Sequence, residues 1–437
     1  MISSDIIIQN GTVLTNDPAG KQHENGAVAI RGGIIVAVGP STELYSWSAS
    51  TVIDAGGGII MPGLVNSHVH LPMSLFRGLA DDLPLAIWLN DHIFPAEAHY
   101  LNPETVRVGA LLSCAEMILA GTTTCCDGYF FEHEVATAVK ESGMRAVLGQ
   151  GVIDFPAPGV PDPNQNIRKA SEFVQTWLKA CPTITPSIFC HSPYTCSSET
   201  LKRAKAVADS MGVLFQIHAG ETKNEWDQIK SEQGQTPIAY LDKIGLLDER
   251  TLLAHVVWVD NDDIDILAKR GAKISHNPES NMKLASGIAP IPKILSCGIT
   301  VGLGTDGCAS NNNLDLFQEM DTAAKLHKIN SLDPTVMSSP TVLKTATIGG
   351  ARAVGLDDKI GSIEVGKQAD IIIIDTEKPH LVPMYDPISH IIYTVNGSDV
   401  RDVIIAGKVI LKDRKLLTLD MEDLLERVVS LQKSIKG

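Results

Sequence analysis

The chain has 437 residues, 44% hydrophobic and 20% charged, which is enough for one large domain and a smaller one. Its 36 basic and 51 acidic residues give a formal charge of −15, which argues against nucleic-acid or anionic-membrane partners because both need a basic footprint. Eight cysteines with no Cys-x-x-Cys pair argue against a disulfide framework or a thiolate metal site, and for free thiols in a reducing compartment.

The N-terminal residues Met1 to Asp5 lack a basic stretch and a cleavage pattern, and no apolar run approaches the ~20 residues of a membrane span. A cytoplasmic protein is expected. The first sixty residues read as β structure. Residues 5–14 predict two short strands about an Asn10-Gly11 turn, and residues 27–30 and 33–39 predict a second pair around Arg31-Gly32.

The centre alternates differently. Eight apolar, strand-like runs precede helical patterns: the run ending at His70, then 121–127, 145–152, 184–190, 213–218, 251–255, 272–276 and 299–306. A representative helix covers 199–208, with Ser197 or Ser198 as its N-cap. Strands return at 369–375 and 400–411. Residues 419–437 predict a closing helix with Met421, Leu424, Leu425, Val428 and Leu431 at helical spacing and Asp420 as cap. Eight strands alternating with helices predict a (β/α)8 barrel over 61–359. Neither end has enough strands for its own core, so 1–60 and 360–437 are expected to fold together beside it.

In such a barrel the chemistry sits at the C-terminal ends of the strands. Side chains at i and i+2 of a strand share a face, so His68 and His70 can grip one ion. His218, His255 and Asp306 each end a later strand. His68, His70, His218 and Asp306 are assigned as ligands of one divalent ion, expected to be zinc, with a position left for water. Iron or manganese would suit the same donors. Glu221, three residues past His218, supplies a proton donor or acceptor, and His255 orients the water or stabilises developing negative charge. The stretch 302–307 matches G-x-G-x-x-G but comes late in the chain. Its glycines are expected to let the backbone turn tightly at Asp306 rather than to bind a dinucleotide.

At these residues the sequence resembles the amidohydrolase superfamily, and within it the 5′-methylthioadenosine/S-adenosylhomocysteine deaminases. The resemblance rests on stretches 61–70, 75–85, 191–194, 218–222, 275–287 and 303–313. It implies a distorted (β/α)8 TIM barrel with a small β-sandwich built from both termini, and one zinc held by the four ligands above. It implies that Glu221 serves the ring nitrogen N1, that His255 polarises the attacking water, and that Asp306 passes a proton to the leaving amine. It places Trp88 against the purine or sugar, Glu97 on the ribose hydroxyls and His191 against the substrate. The activity implied is deamination of adenosine-type nucleosides by a homo-oligomer. An s-triazine or other N-heterocycle aminohydrolase or chlorohydrolase, or a guanine deaminase, is the alternative. All four ligands are present, which argues against a non-catalytic scaffold. Gln150 occupies the place where an Arg is expected in members that take S-adenosylhomocysteine, and the loop 154–161 has no Arg. An uncharged 5′ group is therefore expected.

Overall fold

The computed structural model describes residues 2–436. Met1, and Gly437 at the end of the predicted closing helix, lie outside the described residues. The chain opens with β1 (Ile2–Leu14), β2 (Gln22–Arg31), β3 (Ile34–Pro40), β4 (Trp47–Asp54) and β5 (Ile59–Pro62). The expected hairpin at Asn10-Gly11 is absent: β1 runs straight through it. A two-residue hairpin turn of that kind needs φ above zero at both central residues. Here Asn10 alone is left-handed, at φ 62°. The pairing steps from Ile8↔Val28 to Gly11↔Gly26, so β1 carries one extra residue. That is a β-bulge, which bends a strand without reversing it. Ahead of the bulge β1 lies parallel to β4, and beyond it to β5.

Eight parallel strands then close a barrel: β6 (Leu64–Val69), β7 (Thr122–Tyr129), β8 (Arg145–Val152), β9 (Ile184–Cys190), β10 (Phe215–Ala219), β11 (Thr251–His255), β12 (Lys273–His276) and β13 (Val301–Leu303). Their side chains are almost all buried, as expected for strands covered on both faces. Ser197 caps the helix Ser198–Met211 by accepting from the backbone N–H of Thr200 at 3.2 Å.

The chain returns through β14 (Ile371–Ile374), β15 (Val400–Ile405), β16 (Lys408–Lys412) and β17 (Lys415–Leu416). β14 pairs antiparallel with β5, so both ends of the chain share one nine-stranded mixed sheet. Ile6, Ile30, Ile35, Ile53, Ile60, Ile371 and Ile404 from across it pack into a single buried cluster. Arg145 at the start of β8 reaches Asp370 just before β14 with two hydrogen bonds, at 2.6 and 3.0 Å, both groups buried. This pair ties the barrel floor to the terminal sheet.

The closing helix, Met421–Lys436, packs against the helix Pro103–Leu119. Asp420 accepts from the N–H groups of Glu422 and Asp423 at 3.0 and 3.2 Å. Leu424 is buried and Met421, Val428 and Leu431 are half-buried, but Leu425 is 48% exposed. The apolar stripe is therefore narrower than its sequence suggests, and Leu425 lies beside it.

Candidate metal centre and active-site cavity

The strand ends bring together the residues that the sequence scatters over nearly 240 positions. His68 lies in β6 and His70 just after it. His218 lies in β10, His255 ends β11, and Asp306 follows β13. The Nε2 atoms of His68 and His218 stand 3.2 Å apart. Asp306 Oδ1 is 3.3 Å from His70 Nε2 and 3.5 Å from His68 Nε2. A tetrahedral zinc with bonds of about 2.0–2.1 Å has its ligand atoms about 3.3 Å apart. The three measured edges match that spacing. His68, His70 and Asp306 form one group that could hold a metal, and His68, His218 and His255 a second that overlaps it.

The outer faces of the imidazoles are fixed by backbone. His70 Nδ1 donates to the carbonyl of Gly128 and His218 Nδ1 to that of His191, each at 2.8 Å. Those bonds leave both Nε2 lone pairs pointing inward. Burial pushes His68 down to about 4, and lowers His70 and, with neighbouring imidazoles, His218, so all three are neutral. Burial works against the Asp306 carboxylate, yet the hydrogen bond with His68 and the surrounding imidazoles hold it well below its ordinary range. Its Oδ2 accepts from Ser280 and Ser310 hydroxyls, both at 2.7 Å, and Gly307 N–H donates to Oδ1 at 2.7 Å.

Two of these residues sit on strained backbone. His255 has φ 74° and Asp306 has φ 61°. Such conformations cost about 1–3 kcal/mol each for non-glycine residues and gather at functional sites. The glycines of the 302–307 stretch do not serve the turn as expected, because Asp306 itself takes the left-handed conformation. They serve close approach instead: a Cβ on Gly304 would lie 2.5 Å from Asn277 Oδ1 and 2.6 Å from Ser275 Oγ.

Glu221 follows Gly220, whose φ of 63° turns the chain out of β10. Glu225 accepts from the N–H groups of both, at 2.8 Å each, which aims the Glu221 side chain inward. Glu221 Oε2 lies 4.0 Å from His255 Nε2, and His255 Nδ1 bonds Asn281 Oδ1 at 2.8 Å. Burial raises Glu221 above the usual carboxylate range. Burial alone would lower His255, but Glu221 and Asp306 outweigh it and the imidazole is raised.

These groups open into a cavity that also includes Trp88, Glu97, Tyr129, Phe189, His191 and Tyr194. Trp88 opens the π-helix Trp88–Ile93, and Glu97 lies in the helix Phe94–Tyr100. His191 follows β9, its Nδ1 within 3.0 Å of the Thr195 hydroxyl. All nine residues expected at the site therefore line this cavity or its metal-ligand cluster. Gln150 does not. Its side chain turns toward the preceding helix, Glu132–Ser142, where Oε1 accepts from Glu132 N–H at 3.2 Å, while Gly151 and Val152 line the cavity. Among the described residues the cavity lining still holds no Arg or Lys. His276 is buried with its Nε2 2.9 Å from His327 Nε2.

Tyr129, Ser280, Asn281 and Ser310 were missed as site residues. Ser280 and Asn281 lie in stretch 275–287 and Ser310 in 303–313, yet only tertiary contacts give them roles. Tyr129 ends β7, two residues beyond the apolar run 121–127.

The amidohydrolase family model matches residues 59–410. The chain is 50% identical, over 99% of its own length and 99% of the relative's, to a 5-methylthioadenosine/S-adenosylhomocysteine deaminase of Syntrophobacter fumaroxidans. It is 46% identical to a 5′-deoxyadenosine deaminase of Methanosarcina mazei, over 97% of this chain and 96% of that one. A zinc-bound crystal structure of an adenosine deaminase from Xanthomonas campestris superposes with a TM-score of 0.97 at 38% identity, covering 100% of this chain and 99% of the other.

Proposed function

The chain belongs to the amidohydrolase family, and on that footing we propose that it deaminates adenosine-type nucleosides hydrolytically, using one zinc ion. Adenine-type substrate and water give the hypoxanthine analogue and ammonia. The observation that carries this reading is the convergence of three neutral imidazoles and one ionised carboxylate beside a buried acid, Glu221. His68, His70, His218 and Asp306 hold the metal in this reading. Their inward lone pairs and tetrahedral spacing fit a borderline ion that accepts nitrogen and oxygen donors.

When bound, such an ion supplies a Lewis acid that lowers the pKa of water from 15.7 to about 7. The rest falls to side chains. His255, held by Asn281, orients the attacking water toward C6 of the purine. Glu221, protonated more readily than an ordinary carboxyl, gives its proton to N1 as the ring loses aromaticity. Asp306 takes the water's proton and passes it to the departing amine. Trp88 and His191 flank the base and sugar, and Glu97 accepts from the ribose hydroxyls.

The inner cavity's aromatic and aliphatic lining, without Arg or Lys, favours an uncharged 5′ substituent such as methylthio, hydrogen or hydroxyl, and the nearest lysines, Lys223 and Lys283, line only the outer groove that adjoins it. The test is a panel of adenosine analogues with s-triazines and guanine, followed by ultraviolet spectra and ammonia release. Turnover of triazines or guanine ahead of every adenosine analogue would overturn the reading.

Residues 1–60 with 360–437, and 61–359, are read as its two structural units, and the active form as a homo-oligomer. Among the described residues no helix is long and apolar enough to cross a membrane. Eight free cysteines suit a reducing, cytoplasmic setting.

A further inference from the structure

The segment that covers the cavity is held to the barrel in a way that the proposed mechanism does not use. Trp88, Leu89, Phe94 and Glu97 all come from residues 85–100, which leave the barrel after β6 and lie over its mouth. Among the described residues one hydrogen bond joins this segment to a barrel strand. It runs from the Tyr129 hydroxyl, at the end of β7, to Oε1 of Glu97. Both side chains are buried, at 3% exposure each, and both line the cavity. No other group among the described residues bonds the Glu97 side chain.

Tyr129 is a donor at every physiological pH. Burial, with Glu97 alongside, pushes its phenol well above the ordinary range. Burial also pushes Glu97 up to about 7, and the bond from Tyr129 works against that shift. A carboxylate on a short helix outside the barrel would otherwise be free to rotate or take up a proton. With Oε1 occupied from the barrel side, Oε2 is the oxygen left for a ligand.

We propose that Tyr129 is a positioning residue for recognition of the sugar: its hydroxyl fixes the Glu97 carboxylate and pins the covering segment, so that Oε2 meets the vicinal hydroxyls of a ribonucleoside. The proposal rests on the reading of Glu97 as the ribose contact. It implies a specificity device of two residues from separate elements, one on the covering segment and one on a barrel strand.

The test compares wild type, Tyr129→Phe, Glu97→Gln and the double variant on a ribonucleoside and on its 2′,3′-dideoxy analogue. Tyr129→Phe keeps the ring and its packing. It is expected to raise KM for the ribonucleoside by about tenfold, the scale of one hydrogen bond to a charged group, with kcat changed less than about twofold. The dideoxy analogue should show no such rise. Glu97→Gln should remove most of the preference for the ribonucleoside, and adding Tyr129→Phe to it should cost nothing more, because the two act through one contact. Equal losses on both substrates, or additive effects in the double variant, would overturn the role of Tyr129. An effect of Glu97→Gln without one of Tyr129→Phe would overturn it while leaving Glu97 on the ribose. If Glu97→Gln leaves the ribose preference intact, the reading of Glu97 fails, and the Tyr129 proposal with it.

Discussion

The two ends of the barrel both bury charged groups but treat them in opposite ways. At the floor each charge meets its counter-charge. Arg145 and Asp370 form a two-pronged pair, and Asp370 also accepts from Ala406 N–H at 2.7 Å. The buried Lys205 ammonium is held between Asp209 and Asp248, at 2.5 Å from each. At the mouth the valences do not close. Three imidazoles crowd one carboxylate, Glu221 stands 4.0 Å from His255, and Glu97 has a single tyrosine for company. Buried polar groups are normally satisfied, and leaving them otherwise costs stability. The floor is complete as a folded protein. The mouth is complete only with a cation and a ligand, which marks it as the working end.

Removing the metal should break this contrast most sharply. Dialysis against a chelator is expected to abolish turnover and leave far-ultraviolet circular dichroism unchanged, with activity returning on one equivalent of zinc. Undiminished activity in protein shown to be metal-free would remove the ion from the mechanism. Glu221→Gln keeps the shape but withholds the proton. It should retain metal and lose about 10²–10⁴-fold in kcat. A near-normal kcat would take Glu221 out of the reaction.

The floor should respond in the other currency. Asp370→Ala strands the Arg145 charge and is expected to cost about 3–5 kcal/mol of stability, read from denaturant unfolding, with kcat of the folded protein unchanged. A change within about 0.5 kcal/mol would show that the pair is idle.

Finer differences lie within the mouth. With no cationic side chain lining the inner cavity, kcat/KM for 5′-methylthioadenosine should exceed that for S-adenosylhomocysteine by about tenfold or more, the scale of one lost charge-assisted contact. The reverse order would show that the charged tail finds a partner elsewhere. The smallest effect concerns pH. Glu97 is raised to about 7, so its ionised form is present above that value and is lost as pH falls through it. KM for ribonucleosides should therefore climb by a few-fold below pH 7. That for 2′,3′-dideoxy analogues should stay flat, and a shared limb would assign the titration to another group.

Much of this was legible in the chain. The eight strand runs carry apolar, β-branched residues between helical patterns, and that periodicity is local. His68, His70, His218, His255 and Asp306 each sit at or just past the end of such a run, so the barrel rule alone places them at one mouth. Glu221 needed only its distance from His218. The misreadings share a different origin. Asn10-Gly11 has the composition of a hairpin turn, but whether Gly11 also adopts positive φ depends on what lies across the sheet. Gln150 lies on a strand whose next two residues line the cavity, and only its contact with Glu132 shows that its own side chain is engaged elsewhere. The Gly304 requirement comes from Ser275 on the neighbouring strand and Asn277 just past its end.

What the sequence determined by itself was therefore the alternation of strands and helices, the acidic balance and the set of metal-ligating residue types, because each depends on near neighbours or on composition. What only the tertiary structure decided was the 3.2–3.5 Å spacing of the ligand atoms, the raised Glu221 and Glu97, and the bond from Tyr129 to Glu97. Those depend on distances between elements far apart in the chain and on exclusion of water, and both arise only when the barrel closes.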